Sequence, residues 1–146
     1  MTPRVLLAHG MLWPNIGRIA IAFRKAGFAV DAVAPARHPV HRMHSPSRTF
    51  EYRPTSAYNS IKDAVAASLP DLVVPCDDRV VGHLHRLHKQ ASVARDRSDM
   101  LRIASLIETS LGSPLSFHIV TRRSFLADLA QLPDVHIPQT LSLIHI

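Results

Sequence analysis

Three short apolar segments, each followed by a helical pattern, constrain the fold of this chain most strongly. The segments are Arg4–Ala8, Phe28–Val33 and Asp71–Pro75. Apolar runs of about four to eight residues, bounded by Pro and Gly, are typical of strands buried on both faces. Strands that alternate with helices form parallel sheets through right-handed crossovers. The pattern predicts an α/β fold, with a three-layer, Rossmann-like parallel sheet between helices.

The sheet needs more than these three segments, and about four strands are expected for a stable one. We expect the fourth strand near Phe117, and the stretch Thr49–Tyr52 is a candidate for a further edge strand. Apolar residues at helical spacing predict five helices. Their inward stripes are Ile16, Ile19, Ala20 and Phe23; Tyr58, Ile61, Val65 and Leu69; Val80, Leu84, Leu87 and Ala91; Met100, Ile103, Ile107 and Leu111; and Phe125, Leu129 and Leu132.

The formal net charge of +6 raises the question of nucleic-acid binding. Fourteen of the seventeen basic residues are Arg, spread along the chain with one dense stretch between Arg37 and Arg53. Aromatic residues, the stacking platforms of many nucleic-acid-binding proteins, make up only 5% of the chain. We therefore expect neither a nucleic-acid nor a membrane partner. The short apolar N-terminus and the lone Cys76 predict a cytoplasmic protein.

The turn after the first strand, His9-Gly-Met-Leu-Trp-Pro-Asn-Ile-Gly17, lacks the glycine spacing of a dinucleotide-binding fingerprint. Cys76, Asp77 and Asp78 follow the third apolar segment, and open α/β sheets bind ligands at that end of their strands. A carboxylate there can bind a substrate, cap the next helix, or do both. The two Asp residues oppose formation of a reactive thiolate at Cys76.

Six of the ten His residues form two clusters, one in the loop at His38, His41 and His44 and one in the helix at His83, His85 and His88. Neither cluster has the i, i+4 His pair with an adjacent Glu that zinc hydrolases use. We expect solvated surface His residues and no metal site.

The order of these motifs resembles the N-terminal region of ATP-grasp ligases, called the preATP-grasp domain. The matching segments are Pro70-Asp-Leu-Val-Val-Pro-Cys-Asp-Asp78, the helix end Leu111-Gly112, and Thr121-Arg-Arg-Ser-Phe-Leu-Ala-Asp-Leu-Ala130 before Val135-His-Ile-Pro-Gln-Thr140. The turn Leu132-Pro-Asp134 departs from the Gly-containing turn of the family. The resemblance divides the chain into a preATP-grasp domain over 1–120 and an exit helix with the start of the ATP-grasp region over 121–140.

The resemblance implies a ligase that uses ATP and Mg²⁺ to activate a carboxylate as an acylphosphate, which an amine or similar nucleophile then attacks. The nucleotide and metal would be held by residues beyond Thr140. Arg122 matches a cationic position that touches ATP in carbamoyl phosphate synthetases and biotin carboxylases; the alternative is a solvated Arg. A small-molecule substrate would meet the loops after the first and third strands, at Trp13, Asn15, Cys76, Asp77 and Asp78.

The last six residues, 141–146, resemble the translation of a transposase-adapter end used in DNA library preparation. The alternative is an ordinary apolar C-terminal strand. An adapter-derived tail implies a truncated ligase, inactive by itself, that self-associates through apolar surface near Phe125. Two other functions fit the pattern: a self-contained, flavodoxin-like module that binds or senses a small ligand, and the N-terminal half of a glycosyltransferase.

Overall fold

The computed structural model describes residues 2–93, 98–121 and 133, and they form the α/β fold that the sequence predicts. Of the predicted exit segment 121–140, only Thr121 and Pro133 are among the described residues, so Arg122 lies outside them, as does the tail 141–146. The strands and α-helices follow in the order β1 (Arg4–Ala8), α1 (Asn15–Lys25), β2 (Ala29–Pro35), β3 (Arg48–Tyr52), α2 (Ala57–Ser68), β4 (Leu72–Pro75), α3 (Asp78–Val93), α4 (Ser98–Leu111) and α5 (Phe117–Thr121).

The chain divides into two compact units, Met1–Gly112 and Ser113–Ile146. The first unit contains the whole sheet and helices α1 to α4. The described start of the second unit is a 3-10 turn, Pro114–Ser116, followed by α5. Among the described residues, no helix is long and apolar enough to span a membrane.

The sheet has four parallel strands in the order β3-β2-β1-β4. Ala8 at the end of β1 is in register with Val33 of β2 and Pro75 of β4, so these strand ends lie side by side. The chain moves in one direction from β1 to β3 and then returns across the sheet to β4. Because parallel crossovers are right-handed, helices before and after this reversal cover opposite faces of the sheet.

One face of the sheet packs against α1 through a fully apolar core. Helix α1 contributes Ile16 and Ala20, and alternate residues of the strands meet them, as the period-2 geometry of a strand requires. The helix ends where Gly27 adopts a φ of +90°, the left-handed conformation that terminates many helices. The buried strand and loop residues of this core are Val5, Leu7, Val30, Ala32, Ala34 and Val40.

The opposite face buries a carboxylate, Asp31 in β2, whose side chain is fully inaccessible to solvent. Its Oδ2 accepts hydrogen bonds from Arg48 Nη2 at 2.7 Å, Ser68 Oγ at 2.7 Å and Arg4 Nη1 at 3.1 Å. Burial alone would raise the pKa of Asp31, but the bonds from Arg48 and Ser68 and the charges of Arg48 and Arg4 hold it below its usual value. Asp31 therefore ties β1, β3 and α2 to β2.

Two expectations for the elements are wrong, and one is confirmed. Thr49–Tyr52 lies in the edge strand β3, as expected, and this is the fourth strand of the sheet. The stretch at Phe117 is a helix instead of a strand. Leu69 does not belong to the inward stripe of α2, because it follows the helix in a left-handed conformation with φ +50° and is 58% exposed.

Candidate functional site

The candidate site lies at the carboxyl ends of β1 and β4, where the strand order reverses. Connections leave these neighbouring strands toward opposite faces of the sheet, which opens a crevice between their ends. The loop from His9 to Pro14 follows β1, and Cys76 and Asp77 connect β4 to α3. Ligands of open α/β folds bind in such crevices.

Asp77 joins the two loops at this reversal point. Its Oδ2 lies 2.6 Å from both His9 Nδ1 and the backbone nitrogen of Gly10, and its Oδ1 accepts the Val80 N–H at 2.9 Å. The last bond is an N-terminal cap of α3. Burial would raise the pKa of Asp77, but the bonds from Gly10, Val80 and His9 lower it below its usual value.

His9 is fully buried and lies between two polar side chains. Opposite Asp77, its Nε2 lies 3.0 Å from Oδ1 of Asn15, the first residue of α1. This arrangement fixes the start of α1 relative to the start of α3. The sequence predicts Asn15 and Asp77 as substrate contacts. In the structure, their contacts with His9 also hold the starts of α1 and α3 in place beside the site.

A cleft of about 610 Å³ opens beside these loops. Its walls come from the segments that follow β1, β2 and β3, together with the first turn of α3. The lining residues are Gly10, Met11, Leu12, Trp13, Pro35, Ala36, Arg37, Glu51, Tyr52, Arg53, Pro54, Thr55 and Arg79. Its volume falls within the range of about 300 to 1,000 Å³ that small-molecule sites occupy.

The lining of the cleft contains three arginines, Arg37, Arg53 and Arg79, and a single carboxylate, Glu51. Across the described ranges, the guanidinium groups of these three arginines form no salt bridge. All three residues are exposed. Guanidinium groups bind carboxylates and phosphates through paired N–H donors, so the cleft is suited to an oxyanion.

The backbone of each arginine is held in place. A turn closed by His38 N–H donating to the Pro35 carbonyl at 2.8 Å contains Arg37. The Arg53 N–H donates to Ser60 Oγ at 3.0 Å. Arg79 lies in the first turn of α3, which Asp77 caps. The backbone segments that carry the three cations are therefore fixed at three different strand ends.

His38 holds the wall of the cleft that carries Trp13. Its side chain is 2% exposed, its Nε2 donates to the Trp13 carbonyl at 2.7 Å, and its Nδ1 accepts the Val40 N–H at 3.0 Å. One donor and one acceptor nitrogen are what a neutral imidazole offers. Burial is the main cause that lowers the pKa of His38, and the bond to Trp13 opposes it only in part.

Tyr52 closes the inner end of the cleft. The ring is 2% exposed, and its hydroxyl oxygen lies 2.9 Å from Nε2 of His83 in α3. Burial raises the pKa of Tyr52 and lowers that of His83, so both groups favour their neutral forms. The pair therefore offers a neutral hydrogen-bonding group beside the three cations.

The structure exposes some of the predicted site residues and packs another against the apolar core. Trp13 is 62% exposed and lines the cleft, while Asp78 is exposed in the first turn of α3. Cys76 instead packs against the apolar core, with its Sγ 3.6 Å from the Val74 carbonyl. Burial and the charge of Asp77 raise the pKa of this thiol to about 12, so it stays protonated near neutral pH. Arg122 lies outside the described residues.

The sequence did not point to the three arginines or to Tyr52. Arg53 directly follows β3, and the assignment of that strand as the neighbour of β2 would have placed Arg53 beside Arg37. Arg79 directly follows the predicted Asp77-Asp78 pair, so the same turn in the sequence could have identified it as a further site residue.

The expectation of solvated His residues is wrong for His38 and His88, which are 2% and 8% exposed. In the loop cluster, His41 Nε2 lies 3.1 Å from the carbonyl oxygens of Ala34 and Pro35. Over the part of the chain that the structure describes, no group of three His, Cys, Asp or Glu side chains could hold a metal ion.

No protein-family model matches the chain. No curated protein matches it either.

Proposed function

We propose that this chain supplies the substrate-binding N-terminal domain of an ATP-dependent ligase, and that the cleft at the carboxyl ends of the strands holds the anionic substrate. In this proposal the ligase activates a carboxylate as an acylphosphate, and an amine or similar nucleophile attacks it. The described domain contributes binding and orientation of the substrate.

The observation that carries the proposal is the set of three arginines in the cleft. Arg37, Arg53 and Arg79 come from three separate strand ends and converge on one lined volume. Isolated surface arginines are common, but three with fixed backbones around a cleft concentrate positive potential there. Such a field attracts an oxyanion and orients it.

The order of motifs along the chain supports the ligase part of the proposal, through the resemblance to the preATP-grasp domain. The residues around the cleft do not fit a metal, because the one carboxylate among its lining residues, Glu51, stands among three cations. In the proposal, ATP and Mg²⁺ are therefore held by other residues. Purified chain should show no Mg²⁺-dependent ATP turnover; turnover abolished by Arg53→Gln would contradict this division of roles.

Trp13 is the only Trp of the chain and lies in the cleft wall, which makes its indole N–H a specific probe. Titration with pyrophosphate or citrate at constant ionic strength should shift this single NMR resonance saturably. Arg53→Gln should weaken binding at least about fivefold, the loss of one charge-assisted hydrogen bond. The control Arg102→Gln, an exposed position of α4 away from the cleft, should leave binding unchanged. Absence of saturable shifts would overturn the proposal.

A self-contained ligand-binding module is the second candidate. It is favoured by one observation: every residue that lines the cleft belongs to the unit Met1–Gly112. The gene sequence around the codon for Thr140 separates the two candidates. A continuing frame with nucleotide-binding Lys and metal-binding Glu residues supports the ligase, and its absence supports the module.

A further inference from the structure

We infer that the ligand of the cleft combines a planar apolar ring with a doubly charged oxyanion, as an aryl or heterocyclic phosphate does. This inference rests on the proposed function, because it names the class of compound that the same cleft selects. It follows from the pairing of an exposed apolar wall with a cluster of cations in one volume.

The apolar wall is formed by Leu12 and Trp13, which are 55% and 62% exposed. Adjacent large apolar side chains with this exposure are typical of binding surfaces. They lie on a short loop whose backbone is fixed at both ends, by the Gly10 N–H bond to Asp77 and by the Trp13 carbonyl bond to His38. The fixed loop keeps both side chains exposed, so a ring that covers them gains apolar burial without reordering the loop.

The cationic side of the cleft favours a dianion over a monoanion. The cleft lining contains Arg37, Arg53 and Arg79 and a single carboxylate, Glu51. A carboxylate presents two oxygens and one negative charge, whereas a phosphate monoester presents three oxygens and about two negative charges. A phosphate monoester therefore balances more of the positive charge of the three arginines.

Gly10 forms the floor of the cleft between the apolar wall and the cationic side, and little space surrounds it. A Cβ at this position would lie 3.3 Å from Arg79 Cδ and 3.4 Å from the Tyr52 hydroxyl oxygen. The aliphatic stem of Arg79 thus packs over the Gly10 backbone, and the Tyr52 hydroxyl lies next to it. Asp77 Oδ1 also lies 3.5 Å from that Cβ position, so this part of the cleft suits a neutral group of the ligand and not its anion.

The N-terminus of α3 is not the anion site. Asp77 occupies the Val80 N–H, and Asp78 adds a second carboxylate in the same turn. These two charges repel a pyrophosphate from the position it takes in dinucleotide-binding folds. The anion is therefore assigned to the arginine side of the cleft, with the ring on Leu12 and Trp13.

Four probes test the inference at equal ionic strength: phenyl phosphate, inorganic phosphate, phenylacetate and acetate. The readout is the Trp13 indole resonance. Phenyl phosphate should bind at least about tenfold more tightly than inorganic phosphate, as burial of one ring predicts. Phenyl phosphate should also bind more tightly than phenylacetate, which isolates the contribution of the second negative charge.

Trp13→Ala isolates the contribution of the ring, with calorimetry as the readout because the probe is lost. The variant should remove the advantage of phenyl phosphate and leave binding of inorganic phosphate unchanged. Leu101→Ala, an exposed apolar position on α4, is the matched control and should change neither.

The outcomes separate this inference from the function it rests on. Equal binding of phosphate and phenyl phosphate overturns the assignment of the ring while leaving an anion site. Phenylacetate binding as tightly as phenyl phosphate overturns the assignment of a dianion. No binding of any probe, nor of pyrophosphate or citrate, overturns the proposed function itself.

Discussion

Nδ1 of His9 lies 2.6 Å from Oδ2 of Asp77, although 68 residues separate the two along the chain. The contact joins the carboxyl ends of β1 and β4, and both side chains are almost inaccessible to solvent, at 0% and 7% exposure. The same carboxylate binds the Gly10 N–H and caps α3. Stability of the domain and the shape of the cleft therefore depend on one side chain.

Asp77→Asn should destabilise the domain by about 2 kcal/mol, because an amide presents one acceptor oxygen where three donors now converge. Urea denaturation measures the change. Asp78→Asn is the matched control, since Asp78 is exposed in the adjacent position, and it should change stability by less than about 0.5 kcal/mol. Equal effects of the two variants would contradict the structural role of Asp77.

Arg48→Met should destabilise the domain by about 1 to 3 kcal/mol, because it removes a charged donor from the buried carboxylate of Asp31. The pKa of Asp31 is lowered in the folded state, so its contribution is present above about pH 3.9, the usual value of Asp. That contribution is lost as the pH falls through the lowered folded-state pKa.

The double variant Asp31→Asn/Arg48→Met supplies the control for this pair. If the two side chains interact as the structure shows, Arg48→Met should cost less in the Asp31→Asn background than in the natural chain. Additive losses in acid and urea denaturation would show that Arg48 acts through other contacts, such as its bond to the Ala67 carbonyl.

His38 should make the domain less stable as the pH falls below about 6.5, the usual pKa of His. The folded state lowers the pKa of His38, so the unfolded chain takes up the proton first and is favoured. Stability is therefore full above pH 6.5 and declines toward the lowered folded-state value. The expected loss between pH 7.5 and 5.5 is up to about 1 kcal/mol.

His38→Gln tests the assignment, because Gln can donate to the Trp13 carbonyl but does not titrate. The variant should show a shallower decline in stability over this pH range than the natural chain. His83 and His85 also have lowered pKa values, so part of the decline should remain. If stability depends on pH in the same way in His38→Gln and in the natural chain, His38 has the same pKa in the folded and unfolded states.

Gly82→Ala and Gly27→Ala should have effects of opposite sign. Gly82 lies inside α3, and a Cβ there would meet no atom within 4 Å, so alanine should stabilise the helix by about 0.5 to 1 kcal/mol. Gly27 has a φ of +90°, where alanine is strained, and its substitution should cost about 1 kcal/mol. Thermal unfolding of the two variants compares them directly.

The sequence predicted the strands that are buried on both faces and missed what depends on neighbours in space. Arg4–Ala8 is a short apolar run bounded by Pro3 and by His9-Gly10, and a helical pattern follows it, which together favour a strand. Phe117–Thr121 is also mostly apolar and rich in β-branched residues, yet it is helical; short apolar runs are compatible with both structures. Ser113 accepts the Leu115 N–H, and Pro114 starts a 3-10 turn that leads directly into this helix.

The cleft was only partly predictable for the same reason. Trp13 and Asp77 follow strands that the sequence identified, so their place at the carboxyl edge could be inferred. Arg37 and Arg53 are exposed residues of a long Pro- and Arg-rich connection and look like solvated charges. Only the pairing of β3 with β2 brings their two segments to the same edge.

The residues that fix the backbone around the cleft differ from those whose side chains face its volume. His9, His38 and Asp77 are buried and determine the path of the loops, whereas Leu12 and Arg53 contribute exposed side chains. Selection can therefore act on the two sets separately. A change at Leu12 or Arg53 can alter which compound is recognised while folding is retained, so this scaffold can diversify in specificity by single substitutions.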